Sequence, residues 1–174
     1  MRSTAVTGTG RPVSFNGRDF RRALGQYTTG VAVVTARAAG GRRVGMTVNS
    51  FTSVSLDPPM VLWCPGKDAP SLPDFAGAPY FAINVLAAGQ HPLSRRFATP
   101  AEDKFGGVPT ADGIGGVPLL PGAVARFECR TARCIDAGDH VIMLGEVVRY
   151  DAPGGAPLVY HSGRYHVVSG HPEL

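Results

Sequence analysis

Apolar positions recur along this chain at two spacings. The helical one is confined to a short stretch near the N-terminus. Phe20, Ala23, Leu24 and Tyr27 fall at i, i+3, i+4 and i+7, the stripe of an amphipathic helix. Asn16 is a capping residue type and Asp19 suits the positive end of the helix dipole, so a helix is expected over residues 17–27, ended near Gly30. Beyond it the pattern is that of strands. Residues 31–37 and 44–50 flank the turn Ala39-Gly40-Gly41-Arg42 and read as a hairpin. Residues 60–64 form an apolar strand after the Pro58-Pro59 turn, and 80–86 form a fourth. Between them residues 70–75 open a short helix with Ser71 as its cap, and residues 90–97 form another that carries Arg95 and Arg96. In residues 123–135, Ala125, Phe127 and Cys129 alternate with Arg126, Glu128 and Arg130, which puts the first set on one face of a strand and the second on the other. Residues 141–150 are the longest apolar strand, and 158–161 with 165–168 close the series. About seven short strands, a few minor helices and no strand–helix–strand alternation predict a mainly β protein, an antiparallel barrel with short peripheral helices.

Residues 98–122 stand apart. They are rich in glycine and proline with few periodic apolar positions, and a loop of that length in a small domain is expected to be functional or mobile. No repeat or linker divides the 174 residues, a length that suits one domain with a real core. The expected organisation is a flexible tail over 1–16, a domain over 17–168 and a short tail over 169–174. The first 17 residues hold no apolar core of a signal peptide, and no apolar run approaches a membrane span.

Charge narrows the partners. The net charge of +4 comes from scattered arginines, without a basic run interleaved with aromatics, which argues against nucleic acid. A mild positive field suits small phosphorylated ligands. Cys64, Cys129 and Cys134 are odd in number and show no CxxC spacing, which argues against a disulfide framework or zinc site and for a reducing, cytoplasmic setting. The histidines show neither HExxH nor HxH spacing, so no metal is expected.

Three stretches hold candidate chemistry. Residues 45–62 contain the hydroxyls Ser50, Thr52, Ser53 and Ser55 between two strands; such a segment is either plain strand edge and turn or a cradle for an anionic or carbonyl-rich ligand. Neither a GxGxxG fingerprint nor a P-loop is present. Gly138-Asp139-His140 precedes the longest apolar strand, where Asp139 can cap the turn and His140 stands at a barrel rim, the usual place of a ligand mouth. Tyr160-His161-Ser162-Gly163-Arg164-Tyr165-His166 is either a hairpin with solvated polar faces or a phosphate or nicotinamide contact through His161 and Arg164. Separated Ser, His and Asp residues establish no triad.

Taken together, these stretches resemble the flavin reductase family, the short-chain NAD(P)H:flavin oxidoreductases that serve two-component flavin monooxygenases. Phe20-Arg-Arg-Ala-Leu-Gly-Gln-Tyr-Thr-Thr-Gly-Val, Gly45-Met-Thr-Val-Asn-Ser-Phe-Thr-Ser-Val-Ser-Leu-Asp-Pro-Pro, Phe81-Ala-Ile-Asn-Val-Leu and Gly138-Asp-His carry the likeness, in family order, over residues 17–168. The resemblance implies the split β-barrel that binds FMN or FAD, a homodimer, NADH or NADPH as reductant, and a partner monooxygenase that receives reduced flavin. It implies flavin contacts at Met46, Thr47, Val48, Asn49, Ser50, Ser53, Val54 and Ser55, and a second set at Ala87, Gln90, Ser94, Arg95 and Phe97, with Arg95 toward a phosphate. Lys104 and Phe105 match the family's Lys-Phe pair. His140, in the catalytic role of placing the nicotinamide, is joined by Tyr160, His161 and Arg164. At Ser162 many members carry arginine, so the likeness implies no preference between NADH and NADPH. The readings that remain beside a reductase are a flavin-holding electron carrier or sensor and a flavoenzyme with its own substrate.

Overall fold

The structure is a computed structural model that describes residues 16–171; most of the first expected tail and the end of the second lie outside them. Helix α1 (Gly17–Leu24) begins where Asn16 accepts a hydrogen bond from the Arg18 amide. Strands β1 (Thr29–Gly30), β2 (Ala32–Arg37), β3 (Arg43–Val48), β4 (Thr52–Leu56) and β5 (Pro59–Trp63) follow, then α2 (Leu72–Gly77) and β6 (Tyr80–Val85). After α3 (His91–Ala98) come the short β7 (Ala111–Asp112) and β8 (Pro118–Leu119). The long pair β9 (Ala125–Ala137) and β10 (His140–Asp151) is followed by β11 (Leu158–His161) and β12 (Arg164–Val167).

The main sheet has seven strands in the order β3-β2-β6-β9-β10-β5-β4, all neighbours antiparallel. Its two edges, β3 and β4, are joined by residues 49–51 alone. A flat sheet would separate those edges by roughly 29 Å at a strand spacing of about 4.8 Å, whereas such a connector spans at most roughly 14 Å. The sheet therefore has to curl until its edges meet. Ser50 ties the seam: its hydroxyl accepts from the Cys64 amide at 2.9 Å and donates to the Cys64 carbonyl at 3.3 Å. A second sheet, β1-β11-β12, branches where Val31 hydrogen-bonds Leu158 with its amide and Leu86 with its carbonyl.

Inside the barrel Trp63 meets Phe75 edge-on at 5.0 Å and Phe81 at 6.0 Å, among Val34, Ile83 and Met143. A second core, with Phe97, Phe105, Leu86, Leu120 and Leu158, fills the space under α3.

Several expectations need correction. Helix α1 stops at Leu24 rather than near 27, and none of its residues is buried; its stripe reflects a wall at the barrel mouth, not a core face. The hydroxyl segment is mostly strand, since Thr52–Leu56 is the edge strand β4. Twelve strands occur among the described residues, more than the seven or so expected, and β9 and β10 pair as a 13- and 12-residue ribbon close to the expected lengths. Ser71 precedes α2 but makes no side-chain cap.

The 98–122 segment is fastened rather than loose. Thr35 donates to the Pro118 carbonyl, Asn84 accepts from the Leu120 amide at 2.9 Å, and Arg37 reaches the Gly116 carbonyl at 2.7 Å. Glu128, on the polar face of its strand, lies buried under this segment and accepts from the Ile114 amide at 2.6 Å and from Arg149. Burial pushes the Glu128 carboxyl pKa up, but hydrogen bonds from Arg149 and Ile114, with the Arg149 charge, outweigh it and leave the group below the ordinary range.

Candidate active site

The first cavity, about 690 Å³, lies against β3, where Gly45, Met46 and Thr47 face Phe97, Lys104 and Phe105. Gly45 is required there, because a Cβ would stand 2.5 Å from the Phe97 ring. Phe97 and Phe105 meet edge-to-face at 4.9 Å and are both buried, so they form the floor. The Thr47 hydroxyl donates to the Ser94 carbonyl at 2.7 Å, and the Ser94 hydroxyl meets the Tyr165 hydroxyl at 2.9 Å. Lys104 Nζ donates to the Phe97 and Gly45 carbonyls at 2.9 and 3.4 Å; burial lowers its pKa. Arg43 lies 4.9 Å over the Phe105 ring.

The second cavity, about 890 Å³, opens where α1, the 27–30 turn, the 49–52 seam and the β11–β12 turn converge. Asn49, Ser50, Phe51 and Tyr160 line it, and Arg21 is its one charged wall residue. Thr29 also lines it, with a buried hydroxyl oxygen that has no hydrogen-bond partner. His161 is clamped at this rim: Nδ1 meets the Thr28 hydroxyl at 3.0 Å and Nε2 the Ser162 hydroxyl at 3.2 Å. Ser162 is in turn held by Gln26 at 3.2 Å, and its amide donates to the Gly25 carbonyl at 2.9 Å. Its φ of 47° is the one left-handed value at a non-glycine among the described residues, a strained conformation that these contacts stabilise.

His140 begins β10, with Nδ1 2.7 Å from the Asp139 carboxylate. Hydrogen bonding to His140, then its charge, with a weaker pull from Arg21, holds the Asp139 carboxyl below the usual range. An ionised carboxylate only accepts, so Nδ1 carries a proton. The Gly-Asp-His turn is held to the 65–67 segment, where the Asp139 carbonyl accepts from the Lys67 amide at 2.9 Å and the Val141 amide donates to the Pro65 carbonyl at 3.0 Å.

The other expected residues lie elsewhere. Val48 is buried, while Ser53 and Val54 stand exposed on β4 and the Ser55 hydroxyl accepts from the Asp57 amide. Gln90 uses its side chain on the Ala87 amide and the Pro121 carbonyl. Arg95 lines a third hollow of about 470 Å³ with Leu93 and Thr99, and Arg164 is exposed on β12. The structure thus gathers Met46, Thr47, Phe97, Lys104 and Phe105 in one cavity and Asn49, Ser50 and Tyr160 in another. Arg21 escaped the sequence reading, although Arg21, Leu24, Gly25 and Thr28 repeat at i, i+3, i+4 and i+7. No group of three or more His, Cys, Asp or Glu side chains able to hold a metal occurs among the described residues.

Fold and site define a small curled antiparallel barrel with two ligand-sized openings beside a clamped histidine. Comparison with known proteins makes the class specific. The flavin reductase like domain matches residues 24–169, and the chain belongs to that family. It is 50% identical over 154 residues to an FMN reductase (NADH), SmoA, of Agrobacterium fabrum, covering 88% of this chain and 87% of that one. It is 42% identical to the reductase component of a flavin-dependent trigonelline monooxygenase of Acinetobacter baylyi, over 85% of this chain but only 48% of that protein. Among solved structures, the NADH:FAD oxidoreductase SgcE6 of Streptomyces globisporus, in complex with NAD and FAD fragments, superimposes with a TM-score of 0.84 at 41% identity. That match covers 94% of this chain and 99% of that one.

Proposed function

We infer that the protein is an NADH-dependent flavin reductase that supplies reduced FMN or FAD to a partner flavin-dependent monooxygenase. The observation that carries this reading is that Asn49 and Ser50 of one motif and Tyr160 of another line one 890 Å³ cavity. Relatives named as NADH-dependent reductases and monooxygenase components support it. A guanidinium with no ion-pair partner among the described residues and an unpartnered buried hydroxyl suit a phosphate-bearing nucleotide with ribose hydroxyls. When bound, the nucleotides supply the redox chemistry, a two-electron transfer from nicotinamide to flavin.

The chain's own task is binding and orientation. Met46, Thr47, Asn49 and Ser50, with backbone amides of the seam, contact the flavin; Ser53, Val54 and Ser55 extend that surface along β4. Ser94, Phe97, Lys104 and Phe105 hold the wall behind β3, Ala87 and Gln90 fix its approach, and Arg95 offers a phosphate contact. His140, Tyr160, His161 and Arg164 form the nicotinamide side. The domain spans residues 17–168. We place the protein in the cytoplasm, in keeping with its three free thiols.

Mixed with FMN or FAD, purified protein is expected to oxidise NADH, followed at 340 nm, and to prefer it to NADPH. Absence of oxidation with either flavin rejects the reading, and a yellow protein that keeps its flavin through dialysis without consuming NADH points instead to a carrier.

We also propose a homodimer formed through the end of the main sheet that exposes Leu56, Val54, Val148 and Tyr150, with Leu56 94% exposed. The register puts β4 and β10 on either side of β5, since Ser55 pairs with Met60 and Met60 with Glu146. Light scattering is expected to give twice the chain mass, and Leu56→Asp to halve it. A wild-type mass of one chain at micromolar concentration removes the proposal.

A further inference from the structure

We propose that Arg21 is the phosphate anchor of the 890 Å³ cavity, holding the phosphate of a nucleotide that binds there; this rests on the flavin reductase reading. Arg21 is the one charged residue among those lining the cavity. Its side chain makes no hydrogen bond or ion pair among the described residues, whereas several other arginines are engaged. Arg22, the next residue, pairs with Asp19 at 3.3 Å, and Arg37, Arg126 and Arg149 each bind a carboxylate. Asp139 feels the charge of Arg21, but its carboxylate is hydrogen-bonded to His140 at 2.7 Å. A guanidinium with no ion-pair partner in a concave site favours an anionic ligand group, and its planar fork of donors fits phosphate oxygens.

The rest of the wall agrees with a nucleotide rather than a bare anion. Thr29 offers a buried hydroxyl oxygen that lacks a partner, Asn49 an amide, and Phe51 and Tyr160 aromatic rings. Hydroxyl and amide groups suit a ribose, and the rings suit a base or a nicotinamide. Helix α1 presents Arg21 because Leu24 and Gly25 share its face of the cavity. The turn that follows is pinned through Gly25 to Ser162 and through Thr28 to His161. The cation is therefore carried on a fixed wall, although every residue of α1 is solvent-exposed.

Both substrates of a flavin reductase carry phosphate, so the test separates them. Isothermal titration of wild type and Arg21→Gln with NADH, FMN and riboflavin gives dissociation constants that do not depend on turnover. Arg21→Gln is expected to weaken whichever phosphate-bearing nucleotide occupies the cavity by about 10- to 100-fold, the scale of a charge-assisted hydrogen bond. Riboflavin, which lacks the phosphate, keeps its affinity. Arg21→Lys restores part of the loss, and the salt dependence of binding falls in Arg21→Gln. A weakened NADH assigns the anchor to the pyridine nucleotide, and a weakened FMN with unchanged riboflavin assigns it to the flavin. Unchanged affinity for both nucleotides, or riboflavin weakened as much as FMN, overturns the proposal. A wild-type protein that binds none of the three overturns the reductase reading and the anchor with it. Unchanged emission from Trp63, the single tryptophan of the chain, checks that each variant is folded.

Discussion

Asn84→Ala is expected to lower the melting temperature by about 10 °C, corresponding to a loss of about 3–5 kcal/mol in a domain of this size. Asn84 is fully buried on β6. Its amide nitrogen donates to the Val33 carbonyl at 3.0 Å and to the Thr35 hydroxyl at 3.2 Å, and its oxygen accepts from the Leu120 amide at 2.9 Å. Alanine removes all three bonds at once. The Leu120 N–H is then buried without an acceptor, at about 1–3 kcal/mol for such a group, and a small void is added. The effect should be uneven in space. Leu120 ends the segment that also leans on Thr35 through Pro118, so hydrogen exchange at Leu120 and Val117 should accelerate more than exchange within β9. Trp63 fluorescence reports global melting from the barrel interior. A shift below about 3 °C would mean that water or relaxation replaces the lost bonds and that Asn84 does not clamp the segment.

Asn84 also illustrates what was legible in the sequence and what was not. Residues 80–86 read correctly as a strand because Phe81, Ile83 and Val85 give a dense apolar run, but local patterning cannot say that a polar residue within it will be buried by a segment 36 positions away. Glu128 fails in the same way. Its alternation with Phe127 and Cys129 is a valid strand signal, yet the covering segment at 113–117 turns the outward face into an interior one. The hydroxyl stretch was located, but its strand was missed. Ser and Thr at an edge satisfy turn and strand patterns alike, and only the closure of the sheet on the 49–51 connector decides between them. Helix α1 shows the converse case. Its apolar stripe marks an amphipathic helix, while the face that lines a cavity is the one with Arg21 and Leu24, because what lies opposite a helix is a tertiary fact. The motifs themselves were readable as motifs. Their division between two cavities was not, since Thr47 and Asn49 are two residues apart in sequence and open into different spaces.

His140→Ala is expected to reduce kcat by about 10- to 100-fold while leaving flavin affinity within about twofold, the scale of losing orientation rather than binding. The physical reason lies in the proton inventory of the Gly138-Asp139-His140 turn. Asp139 is acidic beyond its ordinary range and accepts from Nδ1, so in the neutral form of an imidazole held this way Nε2 is the acceptor, the group needed to fix an amide N–H such as that of a carboxamide. Neither transfer of a proton nor a covalent bond is asked of the ring, so the loss should stop well short of what removal of a nucleophile produces. Asp139→Asn separates orientation from bulk. Its amide can still meet the ring but can donate as well as accept, so it no longer enforces the tautomer, and kcat should fall about 3- to 10-fold, a modest loss of alignment. Steady-state rates with saturating NADH, together with flavin fluorescence titrations, measure both quantities. Unchanged turnover in His140→Ala removes the histidine from the site. An Asp139→Asn enzyme as active as wild type, beside an impaired His140→Ala, leaves the imidazole in place but detaches its tautomer from the reaction.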